Sequence, residues 1–239
     1  MQFIKVKTRR MLPPKDNLFE LLDSIRTFKD GDVLLITSKI LAIHQGRCIR
    51  MDTGVDKNRL IKAEAEKYLE TKHAQNHEFI LTIKYNTLIC SAGIDESNGN
   101  GYYILWPKNP VVLLKQLHTY LRKKHKIKNL GLITTDSHFI PMRSGIVGVS
   151  IGFFGFEPLI DFRGKKDIFG RKLQFTQVNA VDPLASIGVF LMGESNEQTP
   201  MLIVRGVSLK FTRRNNYRKL IYPSKQDIYY PLLKAFDKK

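Results

Sequence analysis

The stretch DVLLITSK, residues 32–39, decides how the rest of the sequence is interpreted as a fold. Its centre, VLLIT, is apolar and rich in β-branched residues, which predicts a buried β-strand. Ser38 and Lys39 follow at the end of this strand, where a hydroxyl and an ammonium group can hold phosphates. Neither a GxxxxGKS/T loop nor a GxGxxG turn accompanies them, so the chain is not a P-loop protein by motif.

Outward from this strand, the sequence predicts a mixture of strands and helices. The segment that follows the strand turns at Gly46. Predicted strands lie at 79–83 and 87–92, paired around KYN, at 130–134, which leads into TDS, and at 201–204. Predicted helices lie at 56–71, at 110–124 and, from an Asp182 N-cap followed by Pro183, at 182–193. Because the order has no regular βαβ period, we expect an α+β or mixed α/β fold.

The composition indicates a globular protein. The chain has 239 residues and 43% hydrophobic content, enough for a sizeable core. No uninterrupted apolar run approaches the roughly 18 residues that cross a bilayer, and residues 1–14 lack a signal-peptide core. We therefore expect a cytoplasmic protein without a membrane partner. Cys48 and Cys90 lie far apart without CxxC spacing, which predicts buried or half-buried thiols rather than a disulfide framework or a cysteine zinc site.

The net charge is strongly positive, with 39 Lys and Arg against 22 Asp and Glu, or +17. Much of the excess lies at 122–128, RKKHKIK, and in the tail at 210–239. No zinc-finger, RNA-recognition or helix-turn-helix signature accompanies it. A solvated basic face explains this charge, and so does a nucleic-acid partner, because aromatic residues are interleaved with the tail's cations.

A second stretch, ICSAGIDESNGNG at 89–101, carries the first candidate site. A mostly apolar predicted strand is followed here by a polar loop with Asp95, Glu96 and several glycines. Glycine allows the backbone to come close to a phosphate or a metal ion, so the loop could be a binding site. The same residue types also form ordinary turns, and this stretch alone does not distinguish the two interpretations.

Acidic residues follow the ends of three regular segments: Asp95, Asp136 in TTDSHFIPMRSG, and Glu194 in MGESNEQTP. Mg²⁺ and Mn²⁺ prefer oxygen ligands and leave coordination positions open for water and phosphates. Ser137 can add a hydroxyl to such a site. Taken singly, such acids are more often helix caps or turn residues than metal ligands.

Arginines near glycines provide candidate clamps for anions: Arg143, Arg163 and Arg171. The alternative for these arginines is a structural Arg–Asp network with Asp161 and Asp167. His138, two residues after Asp136, is a candidate base or ligand, although a single histidine in a polar loop establishes neither role.

An ordered series of blocks resembles a known enzyme family. The blocks are TSK and QGR, CSAGIDESN, TDS, DFRGKKDIFGRKL, DPLA, MGE and the final LIVRG. Together they resemble the coenzyme F-420:L-glutamate ligases, γ-glutamyl ligases that elongate the glutamate tail of a deazaflavin cofactor. The resemblance covers about residues 11–206. It implies a ligase-like domain at 1–206 and a basic C-terminal extension at 207–239.

The resemblance also implies a fold, partners and site residues. The family has a mixed α/β fold of its own and forms an intertwined homodimer that uses GTP, or ATP in its place, with Mg²⁺ or Mn²⁺. Carried over by position, the metal ligands are Asp95, Asp136, Ser137 and Glu194. The positions implied for nucleotide binding are Leu12, Pro13, Ser38, Lys39, Asn98 and Glu194.

The implied reaction is acyl activation. The γ-phosphoryl group of a nucleotide passes to a carboxylate, and the α-amine of L-glutamate attacks the resulting acyl phosphate. Metal ions would offset the charge that builds on the phosphate oxygens. The candidate catalytic residues are Asp95, Asp136, Lys39 and Arg143.

Departures from the family pattern bear on the acceptor. The block after Asp136 reads DSHFIPMR, with His138 and the Phe139–Ile140 pair where the F-420 ligases differ, and Ile43 and Gln45 also depart. This pattern resembles the branch proposed to add glutamate to folates. We therefore expect a pterin or deazaflavin cofactor as acceptor. A non-enzymatic nucleic-acid-binding protein and a relative with altered acceptor chemistry remain the competing hypotheses.

Overall fold

A computed structural model describes residues 1–26, 28–69 and 79–237 of the chain. The strands are β1 (Gln2–Val6), β2 (Asp32–Thr37), β3 (Cys48–Arg50), β4 (Lys67–Leu69), β5 (Leu81–Lys84), β6 (Thr87–Cys90), β7 (Tyr102–Ile104), β8 (Leu130–Phe139), β9 (Ile146–Phe154), β10 (Leu159–Asp161), β11 (Gln177–Asn179) and β12 (Met201–Arg205). The α-helices are α1 (Leu18–Asp23), α2 (Ser38–His44), α3 (Lys57–Glu64), α4 (Pro110–His125), α5 (Val181–Met192) and α6 (Tyr230–Leu233).

Five strands form the central sheet, in the order β1-β12-β2-β8-β9. β2 and β8 are parallel, with Asp32 opposite Leu130 and Thr37 opposite Thr135. The other neighbours in this sheet are antiparallel. A sheet that mixes directions and is covered by helices confirms the expected mixed α/β class.

Side chains of β2 pack alternately into two cores, one on each face of the sheet. Leu34 and Ile36 belong to the core formed with α1, α2 and α4. Val33 and Leu35 belong to the core formed with α5. All four are fully buried, and each contributes roughly 1.5–3 kcal/mol of transfer free energy. Burial on both faces explains why this strand is uniformly apolar instead of alternating.

A smaller region beside the sheet contains β3 with β7, the β4-β5-β6 sheet and α3. Its core includes Ile61, Ala92, Ile94 and Leu105. β5 and β6 pair antiparallel around the turn at Tyr85, which confirms the predicted hairpin. This region supports the loop that carries Asp95.

The predicted helix at 56–71 is wrong beyond Glu64. α3 ends there, Ala65 is extended, and β4 begins at Lys67. The reason is tertiary: the Glu66 N–H donates to the Ile83 carbonyl, so the chain joins a sheet despite its helix-forming sequence. Residues 70 and 71 of that prediction lie outside the described residues.

Two other boundaries also differ from prediction. Asp182 is not the N-cap of α5, because the Asn179 side chain accepts the Val181 and Asp182 N–H groups. The Asp182 carboxylate accepts instead from the Ser150 N–H at 3.0 Å. β8 continues to Phe139 because it pairs with β9 over its whole second half, so Asp136 lies within a strand and not after one.

The basic tail is partly packed on the sheet. Phe211 forms an isolated bridge with Phe156, and Tyr217 and Leu220 pack against the core beside α5. Within the described residues, no helix combines the length and apolar character needed to cross a membrane. Cys48 and Cys90 are free and half-buried, as expected.

The contact between α5 and β9 leaves no room for a side chain at Gly148. A Cβ added there would lie 2.4 Å from the Ala185 carbonyl oxygen. We expect Gly148→Ala to lower the free energy of unfolding by about 1–3 kcal/mol, because the helix must move away from the strand. Urea denaturation measures this change.

Gly152 on the same strand is the matched control. A Cβ at Gly152 would come no closer than 3.3 Å, to Pro110. Gly152→Ala should therefore cost much less than Gly148→Ala. Equal unfolding free energies for the two variants would show that the α5 contact is not tight.

Candidate functional site

A cleft of about 590 Å³ opens at the edge of the central sheet where β2 ends. The loop at 95–100, the N-terminal segment at 8–13 and the loop at 193–200 complete its walls. Because β2 and β8 are parallel, residues beyond Thr37 and Thr135 arrive at the same edge. The lining includes these residues singled out from the sequence: Leu12, Pro13, Lys39, Asp95, Asn98, Asp136, Ser137 and Glu194.

Lys39 ties the first turn of α2 to the Asp95 loop. Its Nζ forms an ion pair with Asp95 Oδ2 at 2.8 Å and donates to the Ser97 carbonyl at 2.6 Å. It also reaches Ser97 Oγ at 3.1 Å. Ser38 begins α2 and is buried, so it does not line the cleft.

Asp95 is held as an ionised carboxylate. Burial raises its pKa, but the Lys39 charge and hydrogen bonds from Lys39 and Ser97 outweigh burial, so the pKa is lowered overall. The Ser97 N–H donates to Asp95 Oδ1 at 2.7 Å. The backbone of Asp95 forms a bridge with Ile104, which anchors the loop.

Asp136 has the opposite pKa shift. Burial raises its pKa to about 7, and the negative charge of Asp95 adds to the rise. Two donors partly oppose this rise: the Trp106 indole N–H bonds to Oδ2, and the Ser137 N–H bonds to Oδ1 at 2.9 Å. The cleft therefore contains two neighbouring carboxylates with different proton affinities.

Two hydrogen bonds join the loop at 193–200 to other walls of the cleft. Ser137 Oγ donates to Glu194 Oε1 at 2.7 Å. Asn98 Nδ2 donates to the Ser195 carbonyl at 2.8 Å. These contacts bring the loop at 193–200 against both the Asp95 loop and β8.

The oxygen donors in the cleft fit a hard divalent cation. Asp95, Asp136 and Ser137 supply two carboxylates and a hydroxyl, and Thr135, which lines the cleft, has a buried hydroxyl with no hydrogen-bond partner in the structure. In the described part of the chain, no three His, Cys, Asp or Glu side chains gather into a ready-made metal cluster. The arrangement suits an ion held by few protein ligands, with positions left for water and phosphates.

Several residues singled out from the sequence lie elsewhere. Arg143 is exposed in the turn between β8 and β9, and neither it nor His138 lines the cleft. Arg163 forms an ion pair with Asp161 at 2.6 Å, so the structural interpretation applies to it. The Arg171 N–H donates to Asp167 Oδ1 at 2.8 Å within the same exposed hairpin.

The sequence reasoning missed Trp106, Arg9 and Arg10. Trp106 is the only tryptophan of the chain, and it contacts Asp136 from a distant segment. Arg9 and Arg10 line the cleft, and Arg9 forms an ion pair with Asp16 at 2.6 Å. Two adjacent arginines lie just before Leu12 and Pro13, which the resemblance implies for nucleotide binding. This pattern in the sequence could have predicted an anion-binding wall.

The two basic segments meet outside the cleft. Burial lowers the pKa of Arg122, and the nearby charge of Arg213 lowers it further. Thr212 pairs with Gly155, whose backbone lies against His118 of α4, so the tail is adjacent to that helix. None of these residues lines the cleft.

Comparison with known proteins identifies relatives over most of the chain. The family model described as F420-0:Gamma-glutamyl ligase matches residues 6–206. A protein of Methanopyrus kandleri named Coenzyme F420:L-glutamate ligase is 34% identical over 232 residues, which cover 90% of each chain. Proteins of the same name from Methanocaldococcus jannaschii and Archaeoglobus fulgidus are 31% and 30% identical, covering 89% and 81% of this chain and 90% and 83% of their own.

The packing of Trp106 on Gly93 yields a prediction. Gly93 has a φ of +70°, and a Cβ there would lie 2.0 Å from the indole nitrogen. Gly93→Ala should displace the ring into a more polar environment. We expect the tryptophan emission, which comes from this residue alone, to move to longer wavelength.

Gly54→Ala separates this effect from backbone strain. Gly54 has a φ of +71° with nothing within 4 Å of an added Cβ, so it has the same left-handed backbone cost without the contact. Its emission should match that of the unsubstituted protein. An unchanged spectrum in Gly93→Ala would show that the indole does not depend on this glycine.

Proposed function

The chain belongs to the F420-0:gamma-glutamyl ligase family, and from this we propose that it joins L-glutamate to the terminal carboxylate of a cofactor, using a nucleoside triphosphate and a divalent cation. The observation that carries the proposal is the convergence of Lys39, Asp95 and Asp136 in one cleft. These residues come from distant parts of the chain, and such a meeting of a cation with two carboxylates suits phosphoryl transfer.

The proposed reaction has two steps. An oxygen of the acceptor carboxylate attacks the γ-phosphorus of the nucleotide, and the bond from that phosphorus to the β-phosphate oxygen breaks. The α-amine of glutamate then attacks the acyl carbon, inorganic phosphate leaves, and the amine loses a proton as the amide forms. Activation is needed because a carboxylate by itself is a poor electrophile.

Asp95, Asp136 and Ser137 are the residues that would hold Mg²⁺ or Mn²⁺, with Glu194 orienting Ser137. When bound, such an ion neutralises charge on the transferred phosphoryl group. The Lys39 ammonium offsets the charge of Asp95, and from the same position it can donate a hydrogen bond to a phosphate oxygen. Arg10, which also lines the cleft, is the second cation suited to the phosphates.

The nucleotide would bind along the wall formed by Leu12, Pro13 and Asn98, which all line the cleft. GTP is the expected co-substrate, with ATP as the alternative. Ser38 is buried at the start of α2 and does not line this wall, so Lys39 is the member of the Ser38–Lys39 pair proposed to contact the nucleotide. Arg143 lies in an exposed turn outside the cleft, so it is not among the cations proposed to contact the phosphates.

The acceptor is either a deazaflavin of the F-420 type or a folate-like pterin. The names of the relatives support the deazaflavin. The block DSHFIPMR supports the pterin, because it resembles the branch of the family proposed to add glutamate to folates. Both acceptors combine a flat heterocycle with a terminal carboxylate, so the same chemistry serves either one.

A nucleic-acid-binding protein without enzymatic activity is the competing function. Its support is the basic surface where Arg122 and Arg213 meet. Such binding would weaken steeply with salt and would not require Asp95. The proposed ligase instead requires Asp95 and is indifferent to the basic surface.

We also propose that the protein is a homodimer. The arm, defined as residues 159–179, contains β10 and β11 and extends apolar side chains into solvent. Ile168, Phe169 and Phe175 are 92%, 89% and 86% exposed. Large apolar side chains exposed together on one hairpin are typical of a protein–protein contact.

A product assay tests the proposed reaction. Purified protein is incubated with GTP or ATP, Mg²⁺ or Mn²⁺, L-glutamate and either the F-420 core or a folate monoglutamate, and products are weighed by mass spectrometry. We expect a gain of one glutamyl unit on one acceptor. Asp95→Asn should slow product formation by roughly 100-fold or more, because a charged ligand of the divalent cation that offsets phosphoryl charge is lost.

Asp52→Asn is the matched control, since Asp52 is an exposed carboxylate paired with Arg50 outside the cleft. It should retain activity. If neither acceptor gains mass although the protein is folded, the proposed reaction is wrong. Salt-sensitive RNA binding that survives Asp95→Asn, without any product, would support the competing function.

Light scattering after size-exclusion chromatography tests the homodimer. We expect about twice the chain mass of 27.6 kDa for the unsubstituted protein. Phe169→Ser combined with Phe175→Ser should shift the equilibrium towards monomer. Ile228→Ser, at an apolar residue that is 85% exposed outside the arm, should not. A monomeric unsubstituted protein at micromolar concentration would contradict the proposal.

A further inference from the structure

Trp106 contacts the candidate site, and the proposed chemistry gives it no role. Its side chain is almost completely buried, with 1% exposed. A buried indole N–H needs an acceptor, and here the acceptor is the Asp136 carboxylate. Since Asp136 is a proposed metal ligand, the position of the indole determines where one oxygen of that ligand lies.

Three side chains fix the ring and backbone of Trp106. Tyr85 stacks on the indole at 6.0 Å with an interplanar angle of 20°. The ammonium of Lys84 lies 5.9 Å from the indole, within cation–π range. The Arg47 guanidinium donates from Nε to the Trp106 carbonyl at 3.2 Å.

The two cations belong to one partly buried ion network. Glu64 forms an ion pair with Arg47 and, at 2.7 Å, with Lys84, whose side chain is 4% exposed. Burial lowers the pKa of Lys84, and its bond to Glu64 only partly opposes this. Buried ion pairs contribute little net stability compared with apolar residues, so a role in fixing geometry is the better explanation of this network.

Tyr85 is itself held in a costly conformation. Its φ of +49° lies in the left-handed region that favours glycine or asparagine. Three bonds retain it: its N–H donates to Glu66, its hydroxyl donates to the Pro107 carbonyl at 3.2 Å, and its own carbonyl accepts from Tyr217 at 3.0 Å. Asn86 has a φ of +56°, so the two residues form the tight turn that joins β5 to β6 and fixes the position of the Tyr85 ring.

We propose that Trp106 is a positioning residue that fixes the Asp136 carboxylate for cation binding. The inference rests on the proposed function, because it assumes that Asp136 is a ligand of the divalent ion. Trp106 bonds to one carboxylate oxygen and the Ser137 N–H to the other, so the carboxylate cannot rotate freely. Groups that orient a metal ligand in this way commonly change metal affinity by 10- to 100-fold when removed.

Equilibrium binding of Mn²⁺ in the presence of GTP tests the proposal without measuring turnover. Free Mn²⁺ is followed by electron paramagnetic resonance. We expect Trp106→Phe, which removes the N–H but keeps an aromatic ring, to weaken Mn²⁺ binding by roughly 10-fold or more. Trp106→His keeps a ring N–H at the corresponding position and should restore much of the affinity.

Phe156→Leu is the control for loss of packing. Phe156 is fully buried in the core beside α5 and does not line the cleft. This variant should lower thermal stability and leave Mn²⁺ affinity unchanged. A merely structural role for Trp106 predicts the same behaviour for Trp106→Phe, and that result would overturn the proposal.

The unsubstituted protein supplies a second readout if Trp106→Phe does not fold. Because the chain has one tryptophan, Mg²⁺ binding with GTP should change its emission, whereas Asp136→Asn should abolish that change. Metal-dependent ligase activity with no change in emission overturns the positioning role alone. If the unsubstituted protein binds neither Mn²⁺ nor Mg²⁺ with GTP present, this inference and the metal-dependent function both fail.

Discussion

The parallel pairing of β2 with β8 is the constraint on which the rest of the structure depends. It carries Lys39 and Asp136, nearly a hundred residues apart in the chain, to one edge of the sheet. The helices on both faces bury β2 completely, so its register cannot slip without exposing apolar side chains. The cleft is therefore placed by buried strands of the central sheet, and the loops around it complete its walls.

Within that cleft, the two carboxylates of Asp95 and Asp136 have different partners. Asp95 has its own counter-ion in Lys39, while Asp136 has two hydrogen-bond donors but no ion pair among the described residues. Their pKa values accordingly shift in opposite directions. Carboxylates separated in this way can take different roles at one pH, and a divalent ion would stabilise most strongly the carboxylate that lacks a cation.

Sequence patterns predicted β2, the hairpin around Tyr85, α4 and β12 because local propensity and burial agree there. The resemblance to the family predicted from sequence that Asp95, Asp136, Lys39 and Glu194 share one site. Other features depend on tertiary contacts that no local pattern encodes. Pairing with β5 ends α3 early, and the contact of Trp106 with Asp136 joins residues 30 positions apart.

The hydrogen bond from Tyr217 to Tyr85 has a consequence for how this chain can change over time. Tyr217 lies beyond residue 206, where the match to the family ends, yet it contacts the turn that stacks on Trp106. Because the extension packs against the rest of the protein, its residues cannot accumulate substitutions independently of the residues they contact. Substitutions that alter the packing of Tyr217 also reach the turn beside Trp106, so selection on the cleft also acts on residues outside the matched family model.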